Sequence, residues 1–442
     1  MIMGAEERTG CVVVGGGPAG LVLGLLLARA GIAVTVLEKH ADFLRDFRGD
    51  TVHASTLTLL DELGLGERFA ALPQRRLDKG QVHLDGGLVT VADLSHLPGV
   101  HQHIALVPQW DLLELLASAA AEEPSFTLRR RAEVTGVLYD RGRVVGVSYR
   151  DHSSGADSRL QADLTVGCDG RNSVVRRAAG LRSRAFGAPI DVWWFRLPRH
   201  AGDPSGVGGW VRNRQLMIML DRGDYWQCGY LIGKGSDQAM RAAGIAEFRK
   251  GLAALVPWLA DRVDALTSFD DVKLLDVRLE RLRRWYADGL LLIGDAAHAM
   301  SPVGGVGINL AVQDAVAAAR ILGPLLRSGD QVPLAKLRAV QRRRSWPTVL
   351  IQGAQRQAHR LIAGPRAATP DRAPGPPATE RTEPAAPRLP MPLRLLARFP
   401  ALQRIPARAI AIGPRPEPAP DWARRAPSQV RRKGPQGAPP TD

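Results

Sequence analysis

Only three cysteines, Cys11, Cys168 and Cys228, occur in 442 residues. They lie far apart and form no CxxC pair, which excludes a disulfide scaffold and offers no zinc-ligand spacing. No metal is expected, and the thiols read as buried and reduced. Long apolar runs are also missing. The longest near the amino terminus, residues 21–30, falls well short of the roughly 20 residues that a membrane span needs. Residues 1–10 are polar, and the first apolar run holds a glycine-rich turn where a secretory signal would carry its cleavage site. These absences predict a cytoplasmic location. No internal repeat is found.

Acidic residues are under-represented against basic ones, and the formal net charge is +15. Roughly half of that excess lies beyond Gly364, in a Pro/Ala/Arg-rich tail with clusters such as Arg424-Arg425 and Arg431-Arg432-Lys433. No recognition-helix, finger or aromatic RNA-platform pattern accompanies the charge. Specific nucleic-acid binding is therefore not expected, only weak attraction to polyanions. With 45% hydrophobic and 23% charged residues, the composition is that of a globular protein. The length suits two intertwined lobes able to enclose a cofactor.

The pattern predicts an α/β chain: a discontinuous Rossmann-like domain, an inserted mixed β-sheet domain, and carboxy-terminal helices. Residues 11–14 read as a strand, 18–30 as a helix rich in small residues, and 33–37 as a second strand, with Gly31 at the helix end as a left-handed cap. Residues 52–70 read as a helix pair or one bent helix. Residues 81–92 alternate around Asp85-Gly86-Gly87 as a hairpin, and 108–122 form a helix with an apolar face. Residues 126–149 read as a meander turning at Asp140-Arg141-Gly142, followed by a buried strand at 164–168. Strand-like runs at 189–232, broken by a glycine- and proline-bearing loop near 201–209, carry no phosphate loop and are assigned to a substrate-facing sheet. Residues 290–293 return as a core strand, followed by a glycine loop and a helix at 309–322.

The resulting division places the cofactor lobe at 1–77, 101–186 and 276–363. A sheet hairpin occupies 78–100 and the substrate domain 187–275. A Pro-rich linker follows at 364–390, then a helical segment at 391–413, and a disordered basic tail at 414–442.

Three motifs carry the chemistry. Gly15-Gly16-Gly17-Pro18-Ala19-Gly20 follows a strand and opens a helix. Gly15 permits the tight turn, Gly17 leaves room for a pyrophosphate, and Gly20 lets helix and strand pack closely. The helix amino terminus offers free N–H groups and a positive dipole end. Glu38, followed by Lys39, closes the second strand where a carboxylate accepts ribose hydroxyls. The second motif runs from Gly167-Cys168-Asp169-Gly170-Arg171-Asn172-Ser173 to Arg176. By itself it is equally a helix cap, with Asp169 or Ser173 satisfying free amides.

The third motif is Gly294-Asp295-Ala296-Ala297-His298, continuing as Pro302-Val303-Gly304-Gly305-Val306-Gly307-Ile308-Asn309. Asp295 ends a buried strand, where a carboxylate needs hydroxyl or amide partners. The glycines leave amides open ahead of a helix, a setting suited to negative charge.

In this order and spacing the three motifs, over residues 10–325, resemble the FAD-dependent aromatic hydroxylases, the group typified by p-hydroxybenzoate hydroxylase. The resemblance implies FAD as cofactor, NADPH or NADH as transient electron donor, and dioxygen and a small-molecule substrate as partners. It implies that reduced FAD adds dioxygen at C4a and that the hydroperoxide delivers a hydroxyl to an electron-rich carbon. Asp295 then serves the ribityl chain, Arg48 matches a flavin-side arginine, and Gln109 matches a polar residue near the ribityl or phosphate region. Asp169 and Arg176 become candidates for the pyridine nucleotide. Pro302 borders the flavin ring, while Arg48 and the amides around Gly305 and Gly307 support the reduced flavin electrostatically. His298 lies inside a cofactor motif and reads as structural rather than as a base.

Trp193, Trp194, Met217, Met219, Trp226 and Tyr230 are candidates to line an apolar substrate pocket. Trp193-Trp194-Phe195-Arg196-Leu197-Pro198 does not match the WxWxIP signature of related flavin halogenases. Gly305-Val306-Gly307 follows a loop, so the second dinucleotide fold of disulfide reductases is lacking. A flavin reductase or dehydrogenase without oxygen insertion stays open, since the FAD motifs are shared. Residues 392–412 mix apolar side chains with Arg394, Arg398, Arg404 and Arg408. They are read as a docked helix, with weak contact to an anionic membrane surface as the alternative.

Overall fold

The computed structural model describes residues 7–44, 51–84, 87–204, 206–212, 215–363 and 391–426. In the first strand, Glu7–Val14, residues Cys11, Val12 and Val13 are fully buried, as expected for a strand covered on both faces. It pairs in parallel with Val34–Leu37 on one side and Asp157–Gly167 on the other. Phe126–Arg129 and Leu290–Leu292 extend the parallel core outwards.

The crossover helix Pro18–Arg29 starts with proline at its first turn, where no N–H is lost. It buries Leu21, Leu23, Leu25, Leu26 and Leu27, each contributing about 1.5–3 kcal/mol. Gly24 lets it sit close to the sheet, because a Cβ there would lie 2.8 Å from the Phe126 ring and 3.0 Å from Val36. Gly31 stops it at φ +77°, donating its N–H to Ala28 O at 2.8 Å.

Two sequence expectations change here. Phe126–Arg129 is no part of a meander; it adds a parallel strand beside Val34–Leu37, because residues 109–121 form the crossover helix that precedes it. Ala132–Asp140 and Arg143–Asp151 do form an antiparallel hairpin, and Arg143–Asp151 pairs antiparallel again with Asp157–Gly167. The glycine loop near 201–209 is shorter than expected, since Val207–Arg212 is already a strand.

A second sheet of seven strands forms the floor of the other lobe. Its order is Lys273–Leu275, Ile190–Pro198, Tyr225–Gly233, Gln215–Asp221, Val207–Arg212, Lys79–Leu84 and Gly87–Asp93. The last two come from the hairpin far upstream, joined through the parallel pairing of Lys79–Leu84 with Val207–Arg212. The tip of that hairpin, Asp85-Gly86, lies outside the described residues, as do the Pro-rich linker and residues 427–442.

The long helices Gly307–Ser328 and Leu334–Ala363 follow the third motif. The helices Met391–Arg398 and Arg404–Ala411 then return to the body. Residues 414–426, expected to be disordered, instead pack on it. Glu417 is 2% exposed, and its carboxylate receives Arg343 at 2.7 Å and Arg344 at 3.4 Å. Ala423 O accepts from Arg29 at 2.8 Å. Proline-rich composition suggested disorder, but these buried ion pairs hold the extended segment in place. Among the described residues, no helix is long and apolar enough to cross a membrane.

Candidate active site

The three motifs meet along one cavity of about 970 Å³ that runs from the edge of the parallel sheet to the floor of the second sheet. Gly15, Gly16, Gly17, Pro18 and Ala19 line its first end, with Glu38, Lys39 and Gln109. Gly15 adopts φ +102° and lies so close to the second motif that a Cβ would sit 2.7 Å from Cys168 O. Gly20 is not on the wall; a Cβ there would meet Gly15 O at 2.0 Å, so its absence lets the helix rest on the turn. A Cβ at Gly17 would meet nothing within 4 Å, which leaves the helix end open to a ligand. Glu38 is fixed by the amides of Gly16 at 2.9 Å and His40 at 3.0 Å.

Asp169 and Gly170 line the middle of the cavity. The capping alternative for this motif holds in part: Asp169 Oδ2 accepts from Val174 N at 2.7 Å and Val175 N at 3.2 Å, and Ser173 Oγ accepts from Arg176 N at 2.9 Å. Asp169 Oδ1, however, is buried without a partner among the described residues. Burial pushes this carboxyl above the usual carboxylate range, against the pull of its hydroxyl and amide donors. A buried acceptor left over in a polar cradle is what a hydroxyl-bearing or amide-bearing ligand satisfies, and the open helix end beside it suits a pyrophosphate. These residues fit FAD. Arg176 is turned elsewhere, donating to Arg171 O at 2.6 Å and Ala296 O at 3.3 Å.

The third motif closes the site. Asp295, Pro302, Gly305, Gly307 and Ile308 reach the cavity. Arg171, which the sequence reading passed over, donates to Asp295 Oδ2 at 3.1 Å and so ties the second motif to the third. Val306 and Asn309 do not reach the wall. Val306 packs with Met300 and Leu310, because the helix starting at Gly307 turns it inwards. Asn309 Oδ1 is taken by Ser55 Oγ and Thr56 Oγ1, each at 2.8 Å. Arg48 lies outside the described residues.

His53 is another residue that sequence reasoning missed. It is fully buried, with Nδ1 2.8 Å from Ile410 O and Nε2 3.0 Å from Gly305 O. It thereby stands between the glycine loop and the helix Arg404–Ala411, whose Ala407 and Ile410 form part of the cavity wall. Burial lowers its pKa, with the two carbonyls pulling the other way. A neutral imidazole donates through only one nitrogen, so only one of these contacts is a hydrogen bond while it is uncharged. His298 is structural. Its Nε2 lies 2.5 Å from Asp314 Oδ2, and the same oxygen accepts from Gly294 N at 3.1 Å.

The second sheet supplies an apolar wall, with one change from expectation. Trp194 lines the cavity, but Met217, Met219, Trp226 and Tyr230 do not. They face the other side, in a core with Trp193, Phe195 and the helix residues Phe248 and Leu252. Alternation puts successive side chains on opposite faces, so the cavity receives Val192, Ile218, Leu220, Gln227 and Leu231. Both faces are apolar and covered, which is why the sequence pattern did not distinguish them.

Residues 8–350 match a family described as an FAD binding domain. 6-Methylpretetramide 4-monooxygenase of Streptomyces rimosus is 38% identical over 331 residues, covering 73% of this chain and 77% of that one. Para-nitrophenol 4-monooxygenase of Pseudomonas sp. (strain WBC-3) is 27% identical over 355 residues, covering 77% and 84%. Among solved structures, the OxyS anhydrotetracycline hydroxylase from Streptomyces rimosus matches with a TM-score of 0.69 at 25% identity, covering 92% of this chain and 76% of that one. With its three motifs assembled on one cavity and these relatives, the chain belongs to the FAD-dependent aromatic monooxygenases.

Proposed function

We propose that the protein hydroxylates an aromatic, electron-rich small molecule in the apolar part of this cavity, with NAD(P)H as electron donor. The observation that carries the reading is the continuity of the cavity, from the glycine turn at Gly15–Gly17 to the sheet floor at Trp194 and Ile218. A flavin held along the motifs and a substrate lying on the sheet would share one chamber. Relatives named for 6-methylpretetramide and para-nitrophenol support an aromatic substrate.

Bound FAD, reduced by NAD(P)H, would supply the activation of dioxygen. The chain's own residues bind, orient and shield. The amides at Gly15–Gly17 and the helix behind them would hold the pyrophosphate. Glu38 would accept from the adenosine ribose, and Asp295, steadied by Arg171, from the ribityl hydroxyls. Gly305 and Gly307 bring backbone to the end of the cavity where negative charge on a reduced ring would need support. Leu77, Leu94, Ile104 and Leu106 with the sheet wall exclude water from the reacting centre.

The test is anaerobic reduction of the FAD-loaded protein by NADPH and by NADH, followed by a pulse of isotopically labelled dioxygen with aromatic candidates present. Product carrying one labelled oxygen atom supports the proposal. Reoxidation that leaves every candidate unlabelled would favour a reductase or dehydrogenase instead.

A further inference from the structure

Apart from the indole of Trp194, the substrate wall contributed by the second sheet holds, among the described residues, one polar side chain, Gln227, 3% exposed and set among Val207, Leu220 and Gly229. Its orientation is determined. Arg222 Nε donates to Gln227 Oε1 at 2.9 Å, and because an arginine only donates, the carboxamide oxygen must point to the guanidinium. The NH2 end is therefore the one left, and it has no partner among the described residues. An amide donor that lines an apolar cavity is best satisfied by an acceptor placed in that cavity.

The surroundings narrow what that acceptor is. In the strand register Gln227 lies opposite Leu220 on one side and Arg196 on the other. Arg196 shares the Gln227 face of the sheet, is exposed, and stacks over Tyr225 at 4.7 Å. The same cavity is also lined by Leu77, Ile104, Leu106 and Ala407, all apolar. A fixed cationic substituent would find no carboxylate among these described residues, and burying it unpaired is disfavoured. Two positions along the strand, Gly229 leaves room for the Trp194 indole, since a Cβ would sit 3.0 Å from that ring. Among the described residues the wall is thus one indole set among aliphatic side chains, with two donors: Trp194 Nε1–H, buried without a partner, and the Gln227 amide, which alone is backed by a guanidinium that polarises it.

We propose that Gln227, held by Arg222, is the specificity residue that donates to an sp² oxygen, carbonyl or phenolate, conjugated with the aromatic ring of the substrate. Arg222 is the positioning residue. A donor of this kind favours the ionised form of a phenol that it touches, which raises the electron density on the ring to be hydroxylated. This rests on the reading of the cavity as the substrate chamber of a monooxygenase.

The experiment uses the full chain loaded with oxidised FAD, and alizarin, a fused-ring hydroxyquinone whose colour changes on ionisation at wavelengths beyond the flavin bands. Binding is followed by absorbance titration across pH, with neither pyridine nucleotide nor turnover. The expected result is that the phenol's apparent pKa falls when the dye is bound. Gln227→Leu weakens binding about tenfold and returns that pKa to its value in water or above. Gln227→Glu, which places an acceptor at the same point, weakens binding further, while FAD affinity is unchanged in both.

A wild-type protein that fails to bind the dye, or raises its pKa as an apolar wall without a donor would, overturns the inference even if neither variant folds. Equal binding by wild type and Gln227→Glu overturns it as well. Hydroxylation that proceeds although the dye pKa rises removes the inference alone. A lowered dye pKa in a protein that never hydroxylates removes the proposed function alone.

Discussion

A methyl group added at Gly20 would fall 2.0 Å from Gly15 O, whereas one at Gly17 meets nothing within 4 Å. The two glycines of one motif therefore fail differently. Gly20→Ala forces the helix off the turn and is expected to lower the thermal midpoint of the FAD-free protein by several degrees. Gly17→Ala should leave that midpoint unchanged and weaken FAD, because only the ligand needs that space. Equal loss of stability in both variants would contradict this division. Asp169 makes a related case with the opposite sign. Its folded pKa is raised by burial, so near neutral pH its ionised form costs stability rather than adding it. Asp169→Asn keeps an acceptor for the Val174 and Val175 amides. It should leave the FAD-free protein as stable or more so, while FAD affinity falls about tenfold. Calorimetry with and without FAD reads both effects.

At the scale of elements, the second sheet shows what can be read from sequence and what cannot. The glycine turn, the acid at the end of the second strand and the third motif were legible because each needs particular residues at particular spacings. The sheet wall was not. Met217, Ile218, Met219 and Leu220 are all apolar, and alternation alone does not say which pair faces the cavity when a helix covers the other side. Contact with Phe248 decides it, and that helix, Ile245–Leu255, lies beyond the strands in sequence. Met219→Ala is accordingly expected to cost about 2–5 kcal/mol of stability with ligand affinity little changed. Ile218→Ala should alter ligand affinity at a smaller cost. Denaturant titrations set beside binding isotherms would show a reversed pattern if the register were shifted by one residue.

Across the whole molecule, the segment 414–426 joins the carboxy terminus to the cofactor motif. Its proline-rich composition hid this, because ion pairs between residues distant in sequence leave no local pattern. Glu417 pairs with Arg343 and Arg344, and Arg344 donates to Asp314 Oδ1 at 3.0 Å. Asp314 in turn accepts from His298 and from Gly294 N, next to Asp295. Breaking one member of such a buried network costs about 3–5 kcal/mol, because an uncompensated charge stays behind. Glu417→Ala is thus expected to destabilise the protein and also to weaken FAD, although it lies far from the cofactor in sequence. The network also sets an acid limit. Burial alone would raise the Asp314 carboxyl, but His298 and Arg344 outweigh it and the net shift is downward. A group whose folded pKa is depressed stabilises fully above its unfolded value, about 3.9, and loses that contribution as pH falls through the folded value. The difference in thermal midpoint between the wild type and Asp314→Asn should therefore stay constant from pH 7 down to about pH 4 and shrink below it. A gap that closes between pH 7 and 5 would assign the coupling to a histidine and overturn the carboxylate-centred account.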